Sequence, residues 1–257
     1  MLKAVIFDMD DTLVDWESRD QDWDDYDHQH LRGVFDYVRE HLHPLGDFEA
    51  FVTEMQDRAV HAWAEAGRDL AAPHLGRVLV ATLRALGVPE DRLDDEAAAA
   101  CLRAYNWGSI PGVRLYPDAL EVIHHLRARG LRLGLVTNAF APMWMREREM
   151  ERLGLPPDLF GCRVCSADVG YLKPHPAIFQ HALRSLGVRP EEAVFVGDNP
   201  EADIAGAQGV GMRAILRLGH RLPPMISGLI VPDAAINRLS ELPAVLDGWH
   251  PGWPDAD

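Results

Sequence analysis

Two aspartates two residues apart, Asp8 and Asp10, follow a short apolar run from Ala4 to Phe7. Side chains two apart on an extended segment share a face, so both carboxylates can address one site where a strand opens into a loop. Crowding of this kind disfavours ionisation unless a cation or a shared proton relieves it, and Mg²⁺, which prefers oxygen ligands, is the obvious relief. Other groups suited to such a site stand at comparable places: Thr137 and Asn138 after the run LRLGLV, Lys173 in GYLKPHP, and Asp198 after AVFVG with Asp203 five residues on. Carboxylates hold Mg²⁺ but repel a phosphate, so a site for both needs donors to the phosphate oxygens beside the metal. Thr137, Asn138 and Lys173 are such donors. Lys3 and Lys173 are the only lysines in 257 residues, which makes a lysine in this set part of a deliberate charge balance. Taken singly, each residue also reads as a plain turn, a surface charge or a helix cap; their joint occurrence at strand ends carries the claim.

The elements that must position these groups alternate. From about Pro117 a helix runs to Arg129 and stops at Gly130, then LRLGLV reads as a strand. Helices through WMREREMERLG, AIFQHALRSLG and IAGAQG then precede the strands CRVCSA, AVFVGD and RAILRL. A short strand LIV and a helix INRLSELPAVL close the series. Such alternation implies an α/β fold, a doubly wound parallel sheet joined by right-handed crossovers. Between its first strand and its next helix every strong pattern is helical, from an acidic run at Asp15 to Asp27 through apolar Leu31, Val34, Phe35 and Val38, to DDEAAAACLRAYNW. The expected organisation is a core of residues 1–15 and 111–257 with an all-helical insert at 16–110. Because ligands of open parallel sheets bind beyond the carboxyl ends of the strands, an insert leaving there is placed to act as a lid. The Pro- and Gly-rich tail after Asp247 is expected to be loosely ordered.

Bulk composition narrows the classes. A formal charge of −15 without a visible basic patch argues against a nucleic-acid partner. No apolar run reaches membrane-spanning length, and no charged-then-apolar leader precedes the first strand. With Cys101, Cys162 and Cys165 odd in number, a reducing cytoplasm is the natural compartment. Cys162 and Cys165 have the spacing of a zinc or redox pair, but no second pair completes a site, and on a strand they point to opposite faces. Nothing in the sequence marks an oligomeric state.

The combination DMDDTL at Asp8 to Leu13, VTN at Val136 to Asn138, Lys173–Pro174 and GDNPEAD at Gly197 to Asp203 resembles the haloacid dehalogenase superfamily of hydrolases, the insert corresponding to that family's first type of helical cap on a Rossmann-like core. The resemblance implies that Asp8 is a nucleophile forming an aspartyl phosphate and Asp10 a general acid and base. It implies Mg²⁺ held by the Asp8 side chain, the Asp10 backbone carbonyl and Asp198, with Asp203 in support, and phosphoryl oxygens held by Thr137, Asn138 and Lys173. The expected activity is a Mg²⁺-dependent phosphatase acting on a small phosphorylated metabolite such as a nucleotide or sugar phosphate. A phosphomutase, a dehalogenase-like hydrolase and a catalytically silent phospholigand-binding protein are the alternatives. The family's dehalogenases resemble this chain but lack the second acid, its phosphonate-cleaving members use a cap lysine absent from residues 16–110, and a silent member would lack a catalytic acid, whereas none is missing. Two positions depart from the pattern: Asp11 stands where many relatives have glycine, and Ala139 stands in TNAF, which resembles the TNG-aromatic segment of pyrimidine nucleotidases and acylneuraminate phosphatases. Trp16, Trp23, Tyr26, Trp63, Tyr105 and Trp107 could stack on a base or sugar or simply pack in the insert's own core.

Overall fold

Short runs rich in Val, Ile and Leu build one six-stranded parallel sheet in the computed structural model, which describes residues 1–20, 22–108, 110–219 and 230–251. Its strands are β1 (Ala4–Phe7), β4 (Arg132–Thr137), β5 (Cys162–Cys165), β6 (Ala193–Gly197), β7 (Arg213–Arg217) and β8 (Ala234–Ile236), in spatial order β5-β4-β1-β6-β7-β8. β1 lies between β4 and β6, with Phe7 opposite Leu135 on one side and Val196 on the other. Chain order therefore reverses at the β1–β6 seam, the crevice where doubly wound sheets take their ligands.

Alternation along β1 shows why the run is apolar throughout. Val5 and Phe7 join the core on one face of the sheet, Ala4 and Ile6 that on the other, and all four are fully buried. Helices cover both faces: α5 (Ala119–Ala128), α6 (Met143–Arg152), a single turn α7 (Ser166–Val169), α8 (Pro176–Leu186), α9 (Gly206–Gly209) and α10 (Leu242–Trp249). Pro176 opens α8 at its first position, where a missing N–H costs nothing, and Gly187 closes it in the left-handed conformation.

The helical insert comprises α1 (Trp23–His41), α2 (Phe48–Asp69), α3 (Leu75–Ala85) and α4 (Asp95–Tyr105). Asp47 and Asp94 cap α2 and α4 by accepting from the N–H groups of Ala50 and Ala97. The apolar stripe Leu31, Val34, Phe35 and Val38 of α1 is buried against α2 and α4. Two short strands the sequence pattern did not reveal, β2 (Val14–Asp15) and β3 (Arg114–Leu115), pair antiparallel where the chain leaves and re-enters the sheet layer, with Asp15 opposite Arg114. The expected strand LIV is a misreading. Ile230 and Val231 lie outside any strand, Leu229 is outside the described residues, and the sixth strand is Ala234–Ile236. The β-branched run was the stronger local signal, but Pro232 interrupts it, and pairing with β7 is made by the weaker Ala-Ala-Ile. The tail residues 252–257 are also outside the described residues.

Candidate active site

Asp8 is the first residue beyond β1, and its backbone N–H still donates to Val196 O at 2.9 Å, so the ladder itself fixes it at the seam. Asp198 follows β6 directly. Asp203 sits on a π-helical turn, Pro200–Ala205, begun by Asn199, whose Oδ1 accepts from the N–H groups of Glu201 and Ala202 at 3.0 and 2.9 Å. Asp203 Oδ2 accepts from Asn199 N at 3.0 Å. This folding-back explains Gly197: a Cβ there would stand 2.3 Å from Asp203 Oδ2. As a result, oxygens of Asp8, Asp198 and Asp203 lie within 4.8 Å of one another.

Lys173 reaches this group from the loop before α8. Its Nζ is ion-paired with Asp8 Oδ1, lies 2.7 Å from Asp203 Oδ1 and donates to Val136 O at 3.2 Å. Burial alone would lower the lysine's pKa, but Asp203 and Asp8 more than reverse that, so it is raised and the ammonium stays charged. The acids feel the converse. Burial holds the Asp8 carboxyl well above its usual range; Lys173 opposes this, while Asp203, Asp198 and Asp10 add to it. Asp198 is pushed up to about 7, by burial first and then by Asp203 and Asp11. Two buried carboxyls and a half-buried third against one ammonium can ionise together only with a further cation, and an all-oxygen donor set of this kind fits a hard divalent cation such as Mg²⁺. Asp203 is thus a full member of the carboxylate group rather than only a support to it.

The Asp10 carboxylate does not join that group. It turns instead to Arg146 and lines a cavity, while its neighbour Asp11 takes a left-handed φ of 56°. That conformation is the reason a glycine would suit the position. An aspartate tolerates it better than most residues, and here Asp11 Oδ1 accepts from the N–H groups of Trp16 and Glu17 at 2.9 and 3.2 Å. Arg217 at the end of β7 donates to Asp11 O at 2.8 Å and so ties the same loop down from below.

Thr137 ends β4 fully buried, and its hydroxyl has no hydrogen-bond partner among the described residues. A buried hydroxyl left so costs free energy unless a ligand completes it, which suits a phosphoryl oxygen. Asn138 is more occupied than the sequence suggested. Its Oδ1 accepts from Lys173 N at 2.8 Å and its Nδ2 donates to Lys173 O at 3.2 Å, leaving one N–H for a phosphate. Its first task is to fix the Lys173 backbone. Ser166, the first residue past β5, plays a similar part for the next residue by accepting from Ala139 N at 2.9 Å.

The cavity measures about 920 Å³, bounded on the sheet side by Asp10, Asn138 and Phe140 and on the insert side by Trp23, Trp63 and Tyr105. Its insert side also carries Asp27 and Asp57, with Arg19 as the counter-charge. The aromatic residues singled out in the sequence therefore divide. Trp23 and Trp63 are partly exposed on the cavity wall, whereas Tyr26 is buried, its hydroxyl donating to Gly108 O at 3.1 Å.

Sequence reasoning missed Arg146 and Glu149, whose buried side chains form an ion pair at 2.8 Å on α6. The stretch MREREM reads as a solvated helical face. The legible signal was spacing: Met143, Arg146, Met150 and Leu153 fall on one helical stripe, so Arg146 is carried inward with its apolar neighbours. Burial pushes Glu149 up to about 7, against the pull of Arg146. Cys101, Cys162 and Cys165 are free and buried, and Cys162 and Cys165 belong to different cores.

A family model described as haloacid dehalogenase-like hydrolase matches residues 2–211. The glyceraldehyde 3-phosphate phosphatase of Methanopyrus kandleri is 32% identical over 94% of this chain and 96% of its own length. The phosphoserine phosphatase of Thermus thermophilus is 44% identical over 39% of each chain. Among solved structures, the 2-haloacid dehalogenase of Pseudomonas syringae pv. Tomato DC3000 matches with a TM-score of 0.63 at 30% identity, covering 97% of this chain and all of that one.

Proposed function

The chain belongs to the haloacid dehalogenase-like hydrolase family, and on that premise we propose that it is a Mg²⁺-dependent phosphatase of the reducing cytoplasm that hydrolyses a small phosphorylated metabolite. The observation that carries the reading is the meeting of Asp8, Asp198 and Asp203, the first and last of them paired with the buried Lys173, with Asp10 nearby on the cavity wall.

In this reading the Asp8 carboxylate attacks phosphorus in line and the ester oxygen departs, leaving an aspartyl phosphate. Asp10 gives its proton to the departing oxygen and later takes one from the water that attacks the intermediate. Lys173 and the Thr137 hydroxyl hold two phosphoryl oxygens, and the free N–H of Asn138 is placed for a third contact. Mg²⁺, held by the Asp8 and Asp198 side chains and the Asp10 carbonyl with Asp203 completing the set, would supply positive charge against the phosphoryl oxygens. Residues 16–110 act as the lid, and the cavity they share with the sheet layer selects the leaving group. Its acid-rich wall and aromatic faces suit an alcohol that carries no further cluster of negative charge.

Phosphate release from a panel of sugar phosphates, nucleotides and short-chain phosphorylated acids, with Mg²⁺ and with EDTA, tests the proposal. We expect metal-dependent release that Asp8→Asn abolishes while the fold, followed by circular dichroism, is kept. Release that persists in Asp8→Asn above a few per cent would remove Asp8 from its role. The whole-chain likeness to a 2-haloacid dehalogenase favours a second reading, against which Asp10 stands. Halide release from a 2-haloacid without phosphate release from any ester would decide for it.

A further inference from the structure

Arg146 occupies an unusual position for an arginine. Its side chain is 3% exposed, it is ion-paired with Asp10 through Nη2, and its Nη1 lies 2.8 Å from Glu149 Oε2. Glu149, wholly buried, accepts a second hydrogen bond at 2.6 Å from Trp107 Nε1. The guanidinium also stands 5.7 Å from the Trp16 ring and 5.8 Å from the Trp107 ring, and those two rings stack on each other. Trp16 lies on the outgoing crossing between sheet layer and insert, just past β2, and Trp107 on the returning one, just before β3. Arg146 is therefore held from one side by the carboxylate that must transfer the proton and from the other by a carboxylate fixed to the crossing.

An arginine cannot shed its proton to relieve burial, so a buried guanidinium must keep a partner at all times. If Asp10 were the sole partner, turning Asp10 toward a leaving oxygen would strand the charge, and the acid would stay clamped. Glu149 removes that obstacle. Its ionised form is favoured by Arg146 and by the Trp107 N–H, against the cost of burial, and in that form it keeps the guanidinium paired whichever way Asp10 faces. We propose that Glu149 is the standing counter-ion of Arg146, that Arg146 in turn parks Asp10 between proton transfers, and that both are positioning residues for the acid–base carboxylate. The inference rests on reading Asp10 as the acid and base of a phosphatase.

The test compares wild type, Glu149→Gln, Asp10→Asn and the double variant on two esters with Mg²⁺: glycerol phosphate, whose leaving alcohol needs a proton, and p-nitrophenyl phosphate, whose leaving group does not. Glu149→Gln should lower kcat/KM, which reports the steps through departure of the leaving group, for glycerol phosphate by roughly 10- to 100-fold, the coupling range of charged groups in one network, with a much smaller loss of kcat/KM on the aryl ester. In the Asp10→Asn background the same substitution should cost almost nothing on glycerol phosphate, because no carboxylate remains to be clamped. Equal losses on both esters, or the same loss with and without Asp10, would make Glu149 a structural residue and overturn the inference. If Glu149→Gln melts at the assay temperature, Trp107→Phe, which removes the indole donor along with part of the ring, takes its place with the same pattern expected at smaller amplitude, and equal losses of kcat/KM on both esters there overturn the inference too. A wild type that released phosphate from neither ester would instead overturn the phosphatase reading beneath it.

Discussion

Thr137 shows how a single residue can be arranged for a ligand at the expense of the fold. A fully buried hydroxyl with no partner among the described residues costs stability, on the order of 1–3 kcal/mol. Thr137→Val keeps the shape and removes the unsatisfied group. It should raise the melting temperature while lowering kcat/KM for phosphate release, an opposition that calorimetry and a phosphate assay on the same preparation will register; a variant both less stable and fully active would end this account. For Asp10→Asn we expect roughly 10² to 10⁴ slower hydrolysis of an alkyl phosphate, with an activated aryl ester losing less in its first step. These residues were legible in the sequence because each stands where an apolar run stops, so finding the strands finds them. Arg146 and Glu149 were not legible, since a charged residue announces its charge and not its burial, and only the stripe shared with Met143 and Met150 betrays it.

At the scale of elements, the site is set by the residues just beyond the strand ends. The alternating strand and helix signals yielded the sheet and the helices around it. The miss at Ile230 and Val231 came from giving a β-branched run more weight than the proline behind it. The pairing of β2 with β3 was out of reach because two-residue strands have no period to detect. The turn after β6 is tightly specified. With a Cβ at position 197 only 2.3 Å from Asp203 Oδ2, Gly197→Ala must push Asp203 out of the carboxylate group, at about 1–3 kcal/mol for the overpacking. The expected result is a lower melting temperature and a lost response to Mg²⁺, both visible in thermal melts with and without the ion. An unchanged response would show that Asp203 can leave without consequence for the cation.

For the whole molecule, the raised carboxyls make stability depend on pH and metal together. The folded protein binds a proton at Asp198 up to about 7, whereas the ordinary value is 3.8. Through that window the folded state holds the proton more tightly than the unfolded chain, so this group's contribution is full below the window and is lost as pH rises through 7. Mg²⁺ needs the ionised form and must displace that proton. Its stabilisation, about 2.7 kcal/mol at a hundredfold excess over Kd, should be nearly complete at pH 8 and much reduced at pH 5. Melting curves at the two pH values will measure it, and an equal shift at both would remove the three-carboxylate group as the binding place. Among the described residues no helix is long and apolar enough to cross a membrane.

The short pairing of Asp15 with Arg114 has a consequence for how such a chain can change over evolutionary time. Everything between those two residues is, topologically, the loop of a hairpin whose ends already stand side by side. The sheet registers only that the ends meet, not what lies between them. A two-residue turn would satisfy that requirement as well as four helices do. Substitution, exchange or growth of the helical segment can therefore proceed without shifting β1 by a residue, and a lineage can try new leaving groups while Asp8, Lys173 and Asp198 stay where they are.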